Sequence, residues 1–296
     1  MDYVVLKEIT PKIHPMDTRY LLLILCWLFS YAESQGQSDP YQPFSVGNSY
    51  PLLVKNVNVR SEALPDASII SNLPIGSEVK ILDMGGEHTL KGIAANWYKV
   101  SFQVDGQMRE GFIWGGLIAS GKITCTSNPG VDFLFGISKS TAESEHYDRF
   151  WAQIRAVKDN KELSKLEFPT PGSRTTPWTL EMIENHGLEG LKEVIVVSFS
   201  DGFCGGAFGH VYLGWTGKDW VHVISTSDGF DAPYAYQELL LFPNDEGGKP
   251  GKIVLVAKSN EEAVESEEEN VNEGDEMKEI ERIEYDWEGK TLQRRP

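Results

Sequence analysis

Short runs in which apolar and polar residues alternate recur along this chain and constrain its fold more than any other feature. In residues 51–120 they include Val57–Arg60, Trp97–Phe102 and Gly111–Trp114, with a polar turn at Asp105-Gly106. A period of two is typical of a strand with one buried face. Five or six such strands in about 70 residues favour a small closed barrel, which leaves no exposed sheet edge.

The remaining residues, 121–296, are also rich in strand signals. Phe133–Ile137 is typical of a buried strand, and Leu191–Phe199 is strongly apolar and β-branched. Tight turns predict three hairpins: Phe150–Phe168 around Asp159-Asn160, Gly209–Ser225 around Thr216-Gly217, and Ile280–Arg294 around Glu288-Gly289. Ile253–Ala257 is predicted to be a further strand. We therefore predict an all-β fold, a small barrel followed by a larger β-rich domain that is a meander, a sandwich or propeller-like.

Two short helices are predicted within this β-rich region. Residues 177–186 begin with Pro177 after a capping Thr176, and Gly187 follows the last residue. Residues 234–242 form the second predicted helix.

A four-residue pattern, W-x-G-K, occurs twice, at Trp215–Lys218 and Trp287–Lys290, with a tyrosine just upstream of each. The spacing of 72 residues between the two tryptophans suggests a duplicated hairpin unit. Two unrelated hairpin turns that share a Trp shoulder explain the pattern equally simply.

The net charge is −17 over 296 residues, yet the acidity is concentrated in one run. Residues 259–276 carry nine acids and no base, which predicts a solvated loop inserted before the last hairpin. Hydrophobic residues at 41% indicate a globular chain. Because an acidic surface repels phosphate, neither nucleic acid nor anionic lipid is expected as a partner.

The first 32 residues are predicted to be a secretory signal peptide. Arg19 precedes the apolar run Leu21–Leu28, which is too short to cross a bilayer, and Ser30-Tyr31-Ala32 supplies a small-x-small cleavage site. Met16 is the more typical start of such a signal. The mature protein is thus expected in the periplasm or outside the cell, without a membrane span, with residues 33–50 as a linker.

Residues 51–120 resemble the bacterial SH3 domain. The resemblance is carried by Asn58-Val59-Arg60-Ser61, by Leu73–Gly76 with Val79 and Ile81, by Trp97–Val100, and by Gly111–Trp114 with Leu117-Ile118. The sequence departs from the family pattern at two places that bear on which ligand would bind. These are a longer loop over Asp83–Asn96, and Phe112 in place of the usual Trp.

That resemblance implies binding of cell-wall peptides, or a spacer role beside another domain. A shallow aromatic groove with a polar rim would supply the affinity. The candidate ligand-binding residues are Arg60, Trp97, Tyr98 and Trp114. The same aromatic side chains are equally suited to filling the core of a very small barrel.

Cys125 and Cys204 remain after removal of the signal, and an oxidising compartment would allow them to form a disulfide. Bacterial SH3 domains often precede NlpC-type cysteine peptidases, which implies Cys204 as nucleophile and His210 as base. Only five residues separate these two, and three are glycines. A helix that would lower the thiol pKa of Cys204 is therefore not expected.

No metal site or cofactor is predicted. His210, His222, Asp201 and Asp228 could converge, but close-spaced ligand pairs are absent from the sequence. Phosphate-loop, dinucleotide and nucleophile-elbow motifs are absent as well. The sequence therefore favours an exported non-enzymatic protein that binds cell-wall peptide or an envelope protein, with a cell-wall cysteine peptidase and a structural spacer as alternatives.

Overall fold

The structure is a computed structural model, and it describes residues 44–144, 147–171, 177–200, 208–231, 234–260 and 277–294. The chain is all-β, as predicted. Within these ranges the one helical element is a 3-10 turn at Gly115–Leu117. The strands form three antiparallel sheets of six, four and eight strands.

The first sheet contains six strands and curls into a half-barrel. Its order is β1-β4-β5-β6-β2-β3, so β1 and β2 both pair with strands that are distant in sequence. Its core contains Val59, Ile81, Val100 and Ile113, all fully buried, which are the alternating positions of their strands. The strands are β1 Ser49–Pro51, β2 Val57–Arg60, β3 Ile69–Leu73, β4 Glu78–Leu90, β5 Ile93–Val104 and β6 Gln107–Trp114.

The predicted loop over Asp83–Asn96 is wrong, because β4 and β5 run on through these residues as a long hairpin. The two strands pair as far as Leu90 and Ile93, with bulges along the way. Lys91 and Gly92 close the turn at φ 54° and 75°. Glycines and charged residues hid the strands, since Met84-Gly85-Gly86-Glu87 has no alternation. We call residues 83–96 the hairpin arm.

The second sheet has four strands in the order β10-β9-β8-β7 and forms the middle layer. One face carries Phe133, Phe135 and Ile154, which pack against the third sheet. The other face carries Leu134 and Val157, which pack against the first sheet. The strands are β7 Gly121–Thr124, β8 Asp132–Ser144, β9 Tyr147–Lys158 and β10 Lys161–Pro169.

The third sheet is a meander in which all eight strands follow in sequence order. It curls on itself, because β12 buries both faces: Ile195 lies in the core shared with the second sheet, whereas Val194 packs among residues of β14 and β16. The strands are β11 Trp178–Ile183, β12 Glu193–Ser200, β13 Phe208–Trp215, β14 Trp220–Asp231, β15 Tyr234–Leu241, β16 Lys252–Ser259, β17 Lys278–Trp287 and β18 Leu292–Arg294.

Both predicted helices are wrong. Trp178–Ile183 pairs with β12, and Tyr234–Leu241 pairs with β16. A proline at the start of an edge strand donates no hydrogen bond that the sheet needs, so Pro177 suits β11 as well as it suits a helix. Tertiary pairing outweighed the local helix signals in both segments.

The two W-x-G-K segments adopt the same hairpin turn. Thr216 N–H donates to Asp219 O at 3.0 Å, and Glu288 N–H donates to Thr291 O at 3.1 Å. Gly217 and Gly289 have φ of 92° and 78°. Both hairpins lie in one meander, and a duplicated unit remains a prediction.

Candidate ligand-binding cleft

The aromatic residues predicted to bind ligand lie in the core. Trp97, Tyr98 and Trp114 are 4%, 1% and 4% exposed, respectively. Arg60 is half-buried, and its Nη1 donates to Ala67 O at 2.6 Å. A small curled sheet needs large side chains to fill it, and these rings fill it instead of forming the walls of an open groove.

Trp114 nevertheless lines a cavity. Its Nε1 donates to His88 O at 2.9 Å and to Ala95 O at 3.1 Å, so the ring is held beneath the hairpin arm. Gly116 covers the ring so closely that an added Cβ would lie 2.1 Å from Trp114 Cζ3. The position of this indole is therefore fixed from two sides.

The tip of the hairpin arm is docked on β8 of the middle sheet. Ser140 N–H donates to Lys91 O at 3.2 Å. At Gly92 a Cβ would lie 2.9 Å from Ser140 O, so only glycine allows this approach. The arm thus bridges the first and second sheets and roofs a space between them.

That space is a cavity of about 140 Å³. It is smaller than the ~300–1,000 Å³ of a drug-sized pocket, and close to the ~150 Å³ that holds one benzene ring. The cavity therefore suits a single small residue or acid. Its lining residues are Val54, Leu90, Lys91, Trp114, Gly116, Leu117, Ser138, Gln153, Arg155, Lys165 and Glu167.

One wall of the cavity is apolar and comes from the first sheet with its 3-10 turn. Leu90, Trp114 and Leu117 belong to one hydrophobic cluster. The opposite wall is polar and comes from β9 and β10, where Arg155 pairs with Lys165 and Gln153 pairs with Glu167. Directly opposed residues share a sheet face, which places these four side chains together.

Arg155 is the most buried charge of the cleft, at 8% exposure. Its Nε and Nη2 donate to Gln153 Oε1 at 3.0 and 2.7 Å, and its Nη1 donates to Glu162 Oε2. A guanidinium has five N–H groups. Its hydrogen bonds to described residues use three of them, so two remain for a ligand.

Glu162 neutralises part of this charge. Burial alone would raise the pKa of Glu162, but hydrogen bonds and the positive charges of Lys55 and Arg155 outweigh it, and the pKa is lowered. Lys55 Nζ lies 2.9 Å from Glu162 Oε1. The charged residues that line the cleft are three bases, Arg155, Lys91 and Lys165, and one acid, Glu167, so the cleft is net positive on a chain of net charge −17. The ion pair of Lys55 with Glu162, which contacts Arg155, adds no net charge.

Lys165 and Glu167 stand at the more exposed side of the cleft. Lys165 Nζ lies 3.1 Å from Glu167 Oε1, and both side chains are about one third exposed, at 33% and 34%. Burial opposes ionisation of Glu167, but the hydrogen bond from Lys165 prevails and lowers its pKa. Glu167 is thus an ionised group beside the deeper Arg155.

Of the predicted peptidase pair, Cys204 lies outside the described residues. His210 lies on β13, with Nδ1 2.8 Å from Ser198 Oγ and Nε2 3.6 Å from Asp228 Oδ2. His222 Nε2 contacts Ser225 Oγ at 2.9 Å, and Asp201 lies outside the described residues. Within the described part of the chain, no three His, Cys, Asp or Glu side chains are arranged to hold a metal ion.

Cys125 is a buried free cysteine whose Sγ lies 3.0 Å from Glu193 Oε2. Since its predicted disulfide partner, Cys204, lies outside the described residues, that pairing stays a prediction.

Sequence reasoning missed the polar wall of the cleft. The signal was present in Ala152–Val157, where Gln153 and Arg155 alternate with small or apolar residues in a strand that is otherwise buried. A buried strand with polar residues on one face indicates partners on that face. The hairpin arm that covers it was not recognised as strand, so no partner was apparent.

No family model, curated protein or solved structure matches the chain. The described residues also contain no helix of the length and hydropathy that a membrane crossing needs.

Proposed function

We propose that this protein is exported to the cell envelope and binds cell-wall peptide without transforming it. The ligand enters the cleft between the hairpin arm and the middle sheet. The observation that carries the proposal is Arg155, a nearly buried guanidinium with two N–H groups left for a ligand, facing an apolar wall formed by Trp114 and Leu117. Cell-wall peptides carry several carboxylates and small side chains, which match these two walls.

The resemblance of residues 51–120 to bacterial SH3 domains and the signal-like N-terminus support the same proposal. The position of the site differs from the expected one. Trp97 and Tyr98 are packed in the core. The hairpin arm, which departs from the family pattern, forms the roof of the cleft.

The test is retention of the purified mature protein on sacculi, followed by titration with soluble cell-wall peptides. Lys165→Glu reverses a charge at the cleft and is expected to abolish binding. Lys161→Glu is the matched control, since Lys161 is an exposed lysine of the same strand that does not line the cleft. It should bind as the wild type does.

Two outcomes would contradict the proposal. Equal loss of binding in both lysine variants would indicate a general charge effect and no specific binding in the cleft. Release of soluble fragments from sacculi, abolished by Cys204→Ser, would instead establish a cell-wall hydrolase.

A further inference from the structure

We infer that the cleft recognises the carboxyl-terminal residue of a peptide, and that this residue is small and apolar. The inference rests on the proposed function and names the group that the same site would hold. It depends on four features of the cleft: its volume, the increasing burial of its polar wall toward Arg155, the restraint on Arg155, and the apolar wall.

The volume limits the ligand to one residue inside the cleft. A space of about 140 Å³ accommodates a small side chain with its carboxylate but not a large aromatic residue. Trp114 cannot move aside to enlarge it, because Gly116 and two carbonyl acceptors hold the indole.

The polar wall becomes more buried toward Arg155, which favours a chain terminus there. Arg155 and Gln153, on the polar wall, are 8% and 3% exposed, whereas Lys165 and Glu167 are about one third exposed. A peptide that enters beside Lys165 and Glu167 meets Arg155 as it goes deeper. The chain therefore ends there, and its terminal carboxylate meets the guanidinium.

Arg155 is held in place before any ligand arrives. Gln153 Oε1 accepts two of its N–H groups, and Glu162 accepts a third. A guanidinium is a planar fork of N–H donors that suits the two oxygens of a carboxylate. Because the fork is already restrained, little side-chain entropy is lost on binding.

The charge balance favours an anion. The cleft and its direct partners carry four bases and two acids, and Glu167 lies near the open side. A terminal carboxylate is attracted by this excess of positive charge. Opposite Arg155, Leu90 and Leu117 provide contact for a methyl group.

The experiment is an NMR titration of the full mature chain, read from the indole N–H of Trp114 and from the fitted Kd. The probes are trialanine with a free carboxylate, trialanine amide, and Ala-Ala-Phe with a free carboxylate. We expect trialanine to bind, the amide to bind at least tenfold more weakly, and Ala-Ala-Phe to leave the signal unshifted.

Two variants separate recognition from folding. Lys165→Gln, at an exposed position, is expected to weaken trialanine binding and leave thermal unfolding unchanged. Arg155→Lys keeps the charge but removes the fork, and it should bring the affinities of acid and amide together. Lys161→Gln is the control and should behave as the wild type does.

Equal affinity for the acid and the amide would overturn the carboxylate inference, and so would displacement of trialanine by inorganic phosphate at equal concentration. Binding of Ala-Ala-Phe would overturn the size limit. These results leave the proposed function intact if the protein is still retained on sacculi. If the protein binds neither the three probes nor sacculi, both the inference and the proposed function are overturned.

Discussion

The thiol of Cys125 lies 3.0 Å from the carboxylate of Glu193, a residue 68 positions further along the chain. Glu193 is 4% exposed and also accepts hydrogen bonds from Thr126 Oγ1 at 2.7 Å and from the N–H of Ser127 at 2.6 Å. One buried carboxylate at the start of β12 thereby ties the segment between β7 and β8 to the third sheet. The thiol of Cys125 and the carboxylate of Glu193 are both buried, so each depends on the other, because a buried polar group without a partner is costly.

Glu193→Ala is expected to lower the free energy of unfolding by about 1–3 kcal/mol, since it leaves the buried thiol of Cys125 without its acceptor and removes two hydrogen bonds from the exposed Thr126 and Ser127. Urea unfolding followed by tryptophan fluorescence measures this change. Glu189→Ala, at an exposed glutamate before the same strand, should cost less than about 0.5 kcal/mol. Equal effects would show that the buried network contributes nothing.

The thiol of Cys125 is expected to be unreactive in the folded protein. Burial raises its pKa, and the neighbouring carboxylate of Glu193 acts in the same direction, so the reactive thiolate is scarce at neutral pH. Titration with Ellman's reagent should detect Cys125 only after urea is added, with Cys204→Ser as the background. Wild-type chain that shows no thiol in urea without reductant would establish the Cys125–Cys204 disulfide instead.

Acid is expected to destabilise the fold through Glu162 and Glu193, whose pKa values are both lowered in the folded chain. A lowered folded pKa gives stability that is fully present above the unfolded value of 4.5 and is lost as pH falls through the folded value. Urea midpoints between pH 7 and pH 3 should therefore decline below about pH 4.5. In Glu193→Gln the decline should be shallower, and an unchanged slope would contradict this origin.

Alanine substitutions at two matched glycines distinguish the stability that comes from docking of the hairpin arm from the cost of strain in a turn. Gly92 and Gly106 both have φ of 75° and follow a residue with positive φ, but a Cβ at Gly92 would lie 2.9 Å from Ser140 O whereas one at Gly106 would contact nothing. Gly106→Ala should cost about 1–2 kcal/mol of strain. Gly92→Ala should cost more and also weaken peptide binding, measured by urea unfolding and by the Trp114 titration. Equal costs with intact binding would show that the arm is not docked.

Local pattern was sufficient to predict the strands whose partners are adjacent in sequence. The hairpin around Asp159-Asn160 is an example, with both turn residues at positive φ, 49° and 59°, as a tight hairpin turn requires. The predicted helices over 177–186 and 234–242 are strands instead. The cap at Thr176 and the proline after it are local helix signals for the first, and only pairing with β12 and β16 decides otherwise.

The cleft could not be predicted for a related reason. Gln153 and Arg155 are visible as polar residues in a buried strand, but their roof comes from residues 83–96, some 60 positions earlier. The strand character of this segment is hidden by bulges and glycines. Trp114, one of the predicted ligand-binding residues, is buried and lines the cavity, and its part in ligand binding stays a prediction.

Because Ser259 pairs with Lys278, the ends of the acidic run between β16 and β17 are held side by side by the sheet itself. The entropy of closing a connection grows only with the logarithm of its length, about 0.6 kcal/mol for each doubling. The chain can therefore accept a whole reporter protein at this point for little thermodynamic cost, while the cleft, built from the first two sheets, keeps its shape. Fluorescent labelling of the protein in living cells can use this junction instead of either terminus.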